Sequence, residues 1–495
     1  MNNGSHSYFW AAQAFRPAIK LGNEGALAAE VGFQQAPDET ISRKRTPSMM
    51  KNLSKFASAL IAIAILAAPA PAQTDWIRTG TGLGVEKVRL AAANFKLSSN
   101  DPRNAALLTA FNDTLENDLE NAGIFDMVSK SFHPTSIPGS PPEVKFLEWS
   151  APPPNASMLA FGSLGATAGG LTVQGWLDDV KNPLSAQVLA KQYQDAPTTD
   201  AARMIAHKFA DEIIFRLGGG IQGIAETSIV FISSRSGHKE VWMMDYDGAN
   251  ERQISKLGSI SLSPRISPDN SRIAFTSVTA AGGWQLQMFS LELGRTVTFP
   301  RFGGTNVSPS WSPDGSRIAF SSSQSGDPEI YVADNGGRNL KRATTSAGPD
   351  VSPCWNPKTG SQIAFVSGRS GLPQVFTMEA DGTNPQRMTD QGYAVSPAWS
   401  PNGQFLAFSW MRKYGPGAPG AQDIYIMDIV SKQWVQLTHD GGRNDFPAWS
   451  PDGRHIIFQS TRSGTEQLWT MLADGSNAHQ LTTSGRNTQP NWSWK

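Results

Sequence analysis

At 495 residues the chain is long enough for two or three domains, each with its own buried core. Lysine plus arginine and aspartate plus glutamate both number 42, so the formal net charge is zero, and charged residues make up only 17%. That balance leaves no electrostatic footprint for nucleic acid and no basic patch for anionic lipid, and a single cysteine, Cys354, excludes an intrachain disulfide.

Residues 1–49 are polar and unpatterned. Lys51 and Lys55 then precede a 13-residue apolar run, Phe56–Ala68, and Ala70-Pro71-Ala72 fits small-x-small cleavage. Residues 50–72 are therefore expected to be a secretory signal peptide, too short to span a membrane. Residues 1–49 are expected to be an untranslated extension ahead of Met50 (or Met49). The mature chain is expected to begin near Gln73, outside the cytoplasm.

Residues 73–220 read as a small mixed α/β domain. Gly80-Thr81-Gly82-Leu83-Gly84 lacks the spacing of a phosphate-binding loop and is expected to be a flexible leader. Glu86–Phe95 alternates as a strand. Asp101 is expected to cap a helix with Pro102 in its first turn, Leu107, Phe111, Leu115 and Leu119 on one face, and Gly123 as its stop. Further strands are expected at Ile124–Val128, Ser157–Leu164, Leu171–Leu177 and Ala186–Tyr193, with a turn at Gly169-Gly170. A second helix is expected at Thr199–Leu217, with Ile205, Phe209 and Ile213 inward and a hinge at Gly218–Gly220. His133 and His207 stand alone and read as surface or core residues, so nothing in this domain looks catalytic.

Residues 221–495 repeat one phrase. Pro-x-Trp-Ser-Pro-Asp-Gly and a following strand occur cleanly at Pro309–Phe320 and Pro447–Phe458. Weaker copies begin at Pro264, Pro353 and Pro397, and a truncated copy begins at Pro490. The intervals between these prolines are 45, 44, 44, 50 and 43 residues. Each interval holds four short strands, the last two joined in most copies by an Asp-Gly turn, which is the pattern of a propeller blade. The first blade, from Ile224, lacks a Pro-x-Trp strand, and the missing strand is found at Pro490–Trp494. The expected fold is an all-β six-bladed propeller, closed by its C-terminal strand, behind the small α/β domain. Trp311, Trp355, Trp399, Trp449 and Trp492 share one register and are expected to pack between blades. Asp269, Asp314 and Asp452 are read as turn residues and not as metal ligands, because Asn402 and Lys358 occupy the same position. Cys354 reads as a small packed side chain.

In a ring of blades, a repeated position becomes a circle about the axis. Three residues before each proline stand Asn306, Asp350, Ala394, Asn444 and Asn487, with Arg301, Tyr393, Arg443 and Arg486 nearby. These are expected to line one mouth of the channel. Such groups recognise a protein loop or carboxylates; the plainer alternative is solvated loop tips. His238, His439, His455 and His479 fall at non-equivalent blade positions, so no metal centre, cofactor or catalytic residue is expected.

The signal peptide, the α/β domain, the six WSPDG-type blades, Phe299-Pro300-Arg301 ahead of one repeat and the terminal Pro-x-Trp-Ser strand together resemble the TolB family of the Tol–Pal system, over nearly all of residues 73–495. The resemblance implies a non-enzymatic, monomeric periplasmic adaptor. It implies that the propeller mouth binds a Pal-like peptidoglycan-associated lipoprotein and that the mature N-terminus binds a TolA-like inner-membrane protein. It also implies a role in outer-membrane integrity and in invagination during division. The alternatives are a TolB-like secreted propeller with another envelope partner, or a metal-dependent propeller lyase or lactonase. A prolyl-oligopeptidase-type enzyme would need a GxSxG elbow, and the sequence has none.

Overall fold

The computed structural model describes residues 75–280, 282–412, 421–439 and 441–494. The expected extension and signal peptide lie outside the described residues. The N-terminal part contains α1 (Asp75–Thr81), β1 (Val88–Ala92), β2 (Lys96–Leu97), α2 (Asn104–Asn121), β3 (Phe125–Met127), α3 (Phe146–Ser150), β4 (Met158–Thr167), β5 (Gly170–Asp179), β6 (Gln187–Asp195) and α4 (Thr199–Leu217). The sheet runs β3-β1-β4-β5-β6, with β2 paired to β4. β1 lies parallel to β3 and β4, whereas β4, β5 and β6 form an antiparallel meander.

α2 and α4 bury one face each against this sheet. Spacings of four put Leu107, Phe111 and Leu115 on one side of α2 and Ile205, Phe209 and Ile213 on one side of α4, where they share a core with Leu164, Val173 and Leu177. α4 begins where the sequence expects because the Thr198 hydroxyl accepts the Ala201 amide at 3.2 Å. α2 begins later than expected. The Asp101 carboxylate accepts the Arg103 amide at 2.9 Å and binds its guanidinium, which closes a turn, and the helix starts at Asn104 with no side-chain cap.

The expected flexible leader is instead the end of a docked helix, α1, and the turn that follows it. Ile77 and Leu83 are buried in one cluster with Phe405, Ile456 and Leu472 of the propeller, and the Trp76 and Phe405 rings lie 5.4 Å apart. A Cβ on Gly80 would stand 2.3 Å from Phe405 Cζ, so glycine here permits close approach and not disorder. The Gly80 carbonyl accepts the Asn402 side-chain amide at 3.0 Å. The partners of this segment are more than 300 residues away in sequence, beyond the reach of local patterning.

Six four-stranded antiparallel sheets make up the rest. Blade 1 takes its inner strand, Asn487–Trp492, from the C-terminal end and pairs it with Ser228–Ser233. The inner strands of blades 2 to 6 are Ser261–Ile266, Asn306–Trp311, Asp350–Trp355, Tyr393–Trp399 and Asn444–Trp449. The registered tryptophans fill the seams between blades, as expected. Trp311 joins Met288 of blade 2 to Ile318 of blade 3, and Trp492 joins Leu468 of blade 6 to Ile229 of blade 1. Ile266 takes this place in blade 2, between Val241 and Ile273. The aspartates close turns: the Ser267 and Ser312 hydroxyls donate to Asp269 and Asp314 at 2.6 and 2.5 Å, and Asn402 serves Ser400 in the same way.

A further repeat was not expected. One residue near the start of every inner strand, the third in five blades and the fourth in blade 5, has a left-handed backbone, with φ between 51° and 56° at Ser263, Ser308, Ser352, Ser396, Phe446 and Gln489. The register shifts at each of these residues, so every inner strand carries a bulge. The amides of Ser263, Ser308 and Ser352 are met by Gln489, Thr276 and Ser321 side-chain oxygens at 2.7, 3.1 and 3.0 Å.

The ring is closed by Trp492, whose indole N–H donates to Thr227 Oγ1 at 2.7 Å. Trp492→Ala is expected to cost about 3–5 kcal/mol in urea denaturation, and removal of residues 489–495 to lower the melting temperature sharply. An unchanged unfolding midpoint in both would contradict closure.

Candidate functional site

Each blade has two ends. At one lie the starts of the inner strands; at the other lie the Ser-Pro-Asp-Gly and Asp-Gly turns. At the first end a polar side chain near the start of the third strand braces the loop that enters the next inner strand. Glu329 takes the Thr344 hydroxyl at 2.5 Å and the Ser346 amide at 2.9 Å. Gln374 takes the Thr389 hydroxyl at 2.7 Å and donates to the Gly392 carbonyl at 2.8 Å, and Gln467 does the same with Thr482 and Gly485. These loops are thus held from below by buried hydrogen bonds, which fixes the shape of the mouth.

Asn306, Asp350, Asn444 and Asn487 are fully buried, with no exposure at all. Asn306 Nδ2 donates to the Phe302, Gly303 and Gly304 carbonyls at 3.1–3.2 Å. Asn487 Nδ2 binds Gln467 at 2.8 Å, and Asn444 Nδ2 binds Asp423 at 3.1 Å. Asp350 accepts the Ser367 hydroxyl at 2.5 Å and the Arg369 guanidinium at 2.7 Å. Burial pushes its carboxyl up, and Ser367 and Arg369 pull against that rise. Tyr393 is buried beside Val351, Val366 and Met411. Arg301 and Arg486 are exposed, and Arg486 reaches Glu466 at 2.6 Å. Arg443 is half-buried and donates to Gln422 at 3.0 Å. The mouth therefore presents arginines at its surface, over a layer of amides and carboxylates that shape the loops.

Three more arginines belong to this end. Arg235, Arg369 and Arg462 each follow a second strand and lie over two aromatic rings, with Trp242, Phe376 and Trp469 at 4.6, 5.1 and 4.8 Å. Each points to the first residue of its own inner strand: Asn487, Asp350 and Asn444, at 3.3, 2.7 and 3.2 Å. Their signal was in the sequence as the thrice-repeated Ser-x-Arg-Ser-Gly at 233–237, 367–371 and 460–464, which sequence reasoning did not single out.

The N-terminal domain stands on the opposite end. Tyr246 donates its hydroxyl to Asp118 Oδ1, and Asp118 Oδ2 accepts His207 Nδ1 at 2.7 Å. Arg203 pairs with Asp247 at 2.8 Å, and His455 Nε2 donates to the Asn121 carbonyl at 2.7 Å. His207, expected to be isolated, is a buried interface residue; its partners come from α2 and blade 1. Burial raises the Asp118 carboxyl above its ordinary range, against the pull of His207. For His455, burial opposes the protonated ring, but Asp452 and the Asn121 carbonyl outweigh it and raise its pKa. Every contact described between the two domains falls at this turn end, so the arginine-bearing mouth faces away from the N-terminal domain.

Comparison with known proteins follows the same division. A family profile described as the TolB beta propeller domain matches residues 215–414 and 390–495. A TolB homolog of Chlorobium chlorochromatii is 32% identical over 201 residues, covering 41% of this chain and 44% of that protein. The Tol-Pal system protein TolB of Cereibacter sphaeroides is 31% identical over 235 residues, 46% of this chain and 51% of the relative. The chain spans about half the length of the curated relatives it matches. The crystal structure of TolB from Acinetobacter baumannii superposes with a TM-score of 0.69 at 23% identity, covering 83% of this chain and 97% of the other, a likeness of fold.

Asp211 of α4 supplies a pH test of the domain junction. It accepts the Ala225 amide at 3.0 Å, and burial lifts its pKa from 3.8 to about 7, helped by Asp118 and Glu226. Lys208 and Glu212 flank the same hollow. Between 3.8 and about 7 the folded chain binds the proton that the unfolded chain releases. This group's contribution is therefore full below about pH 4 and is lost as pH rises through about 7. Asp211→Asn is expected to leave stability unchanged at pH 4 and to raise it by about 1–2 kcal/mol at pH 8, read from urea midpoints. A pH-independent difference would contradict this assignment.

Proposed function

Because the chain belongs to the TolB β-propeller family, we propose that it is a non-enzymatic periplasmic adaptor of a Tol–Pal system, whose propeller mouth binds a Pal-like peptidoglycan-associated lipoprotein. The observation that carries this reading is the division of the ring into two ends. One is occupied by the N-terminal domain; the other bears Arg301, Arg443 and Arg486 on loops braced by buried hydrogen bonds. A preorganised cationic rim suits a partner surface carrying carboxylates, and charge complementarity of this kind sets specificity and association rate. Such an adaptor would couple the outer membrane to peptidoglycan, supporting envelope integrity and invagination at division.

A TolA-like inner-membrane partner would engage the mature N-terminus. α1 lies against blades 5 and 6 through Ile77 and Leu83, so that partner would meet a docked segment, and its binding would compete with the docking. Among the described residues no helix is long and apolar enough to cross a membrane.

The experiment is calorimetry with the peptidoglycan-associated lipoprotein of the same organism, its acyl anchor removed. Arg301→Glu and Arg486→Glu are each expected to weaken binding at least about tenfold, or about 1.4 kcal/mol, whereas Lys432→Glu at the turn end leaves it unchanged. Binding insensitive to both mouth substitutions would remove the mouth from the reading; no binding at all would remove the partner.

A further inference from the structure

The junction of the two domains holds a group of ligand-type side chains that the adaptor reading does not use. A ring nitrogen of His207 and one carboxylate oxygen from each of Asp245 and Asp247 lie within 4.8 Å of one another. We propose that His207, Asp245 and Asp247 bind a zinc ion, which fastens α4 of the N-terminal domain to blade 1 of the propeller.

The histidine carries the argument. His207 is 1% exposed, its Nδ1 is occupied by Asp118 at 2.7 Å, and its Nε2 has no hydrogen-bond partner. With Nδ1 engaged by Asp118, Nε2 is the ring nitrogen left to take a further partner. An imidazole backed by a carboxylate in this way is the usual arrangement behind a metal-ligating histidine. A cation placed between the ring and the two carboxylates would be met by one ligand atom from each of the three residues.

The aspartates come from the chain's own alternation. Asp245 ends the third strand of blade 1 and Asp247 opens the following Asp-Gly turn. Between them Tyr246 turns inward to Asp118. Both aspartates are half-buried, so an ion can reach them from solvent. Each keeps capacity for a ligand bond. Asp245 Oδ2 accepts Asn250 Nδ2 at 2.7 Å, and Asp247 accepts Arg203 at 2.8 Å through Oδ2 and the Ala249 amide at 3.1 Å through Oδ1. Blade 4 has a comparable pair in Glu379 and Asp381, but among the described residues no histidine forms such a group with them. One imidazole with two carboxylates favours zinc over magnesium or calcium, which take oxygen sets. Three protein ligands leave a fourth position for water, and the Arg203–Asp247 pair must loosen as the ion enters.

The test uses the untagged mature chain, stripped with chelator and titrated with zinc chloride at pH 7.5 by calorimetry, with a thermal melt in parallel. One equivalent of zinc is expected to bind saturably and to raise the melting temperature. Asp245→Asn and Asp247→Asn are each expected to weaken binding at least about tenfold, at or beyond the loss of one ligand-supporting group. Asp381→Asn, the matching turn of blade 4, should leave it unchanged. These substitutions spare the buried His207, so the fold is retained and can be checked by circular dichroism. Absence of saturable binding up to millimolar zinc overturns the proposal, and so does binding that persists in both aspartate variants.

Discussion

The pairing of the last strand with the first blade is the constraint on which the other features rest. Asn487 lies opposite Ser233 and Trp492 opposite Ile229, and the Ser493 and Ser228 backbones bond at 2.8 Å beyond them. Without this pairing, blade 1 would present a bare strand edge to solvent. Closure also brings blade 1 and blade 6 together, and the N-terminal domain stands on both. Tyr246 of blade 1 holds Asp118 of α2, and His455 of blade 6 holds the end of the same helix at Asn121. The two anchors keep a fixed separation only while the ring is shut. The position of a small α/β domain is thus set by a strand some 370 residues downstream of α2.

At the mouth, order comes from polar groups and not from apolar packing. The bulge in each inner strand turns a backbone amide away from its ladder, and in several blades a glutamine, threonine or serine side chain meets it. Buried Asn, Asp, Gln and Glu side chains then tie the entry loops to the strands below. Leaving any of these groups unpaired would cost about 1–3 kcal/mol, so the network defines one loop geometry. A partner-binding surface built this way loses little entropy on association, because its loops are ordered beforehand.

Much of this was legible in the sequence, and the boundary between what was and was not legible has a physical basis. The repeat period, the blade count, the closing role of Trp492 and the span of α4 follow from turn chemistry and periodicity, which are local. Residues whose state depends on distant partners were misread. Gly80 looked like part of a flexible run because Phe405, which it packs against, is elsewhere in the chain. His207 looked isolated because Asp118 and Tyr246 come from other elements. Asn306, Asp350, Asn444 and Asn487 stood at the right register but are buried, since register fixes the end of the blade and not the direction of the side chain. The inner-strand bulges carry no glycine to announce them; serine, phenylalanine and glutamine adopt the left-handed backbone instead.

The most direct measurement is hydrogen exchange on the full chain, followed strand by strand. A closed ring predicts that amides of residues 487–492 exchange as slowly as those of their partner strand, residues 228–233, and of the inner strands of the other blades. Exchange of residues 487–492 at the rate of a fraying terminus, with residues 228–233 protected on one side only, would contradict it.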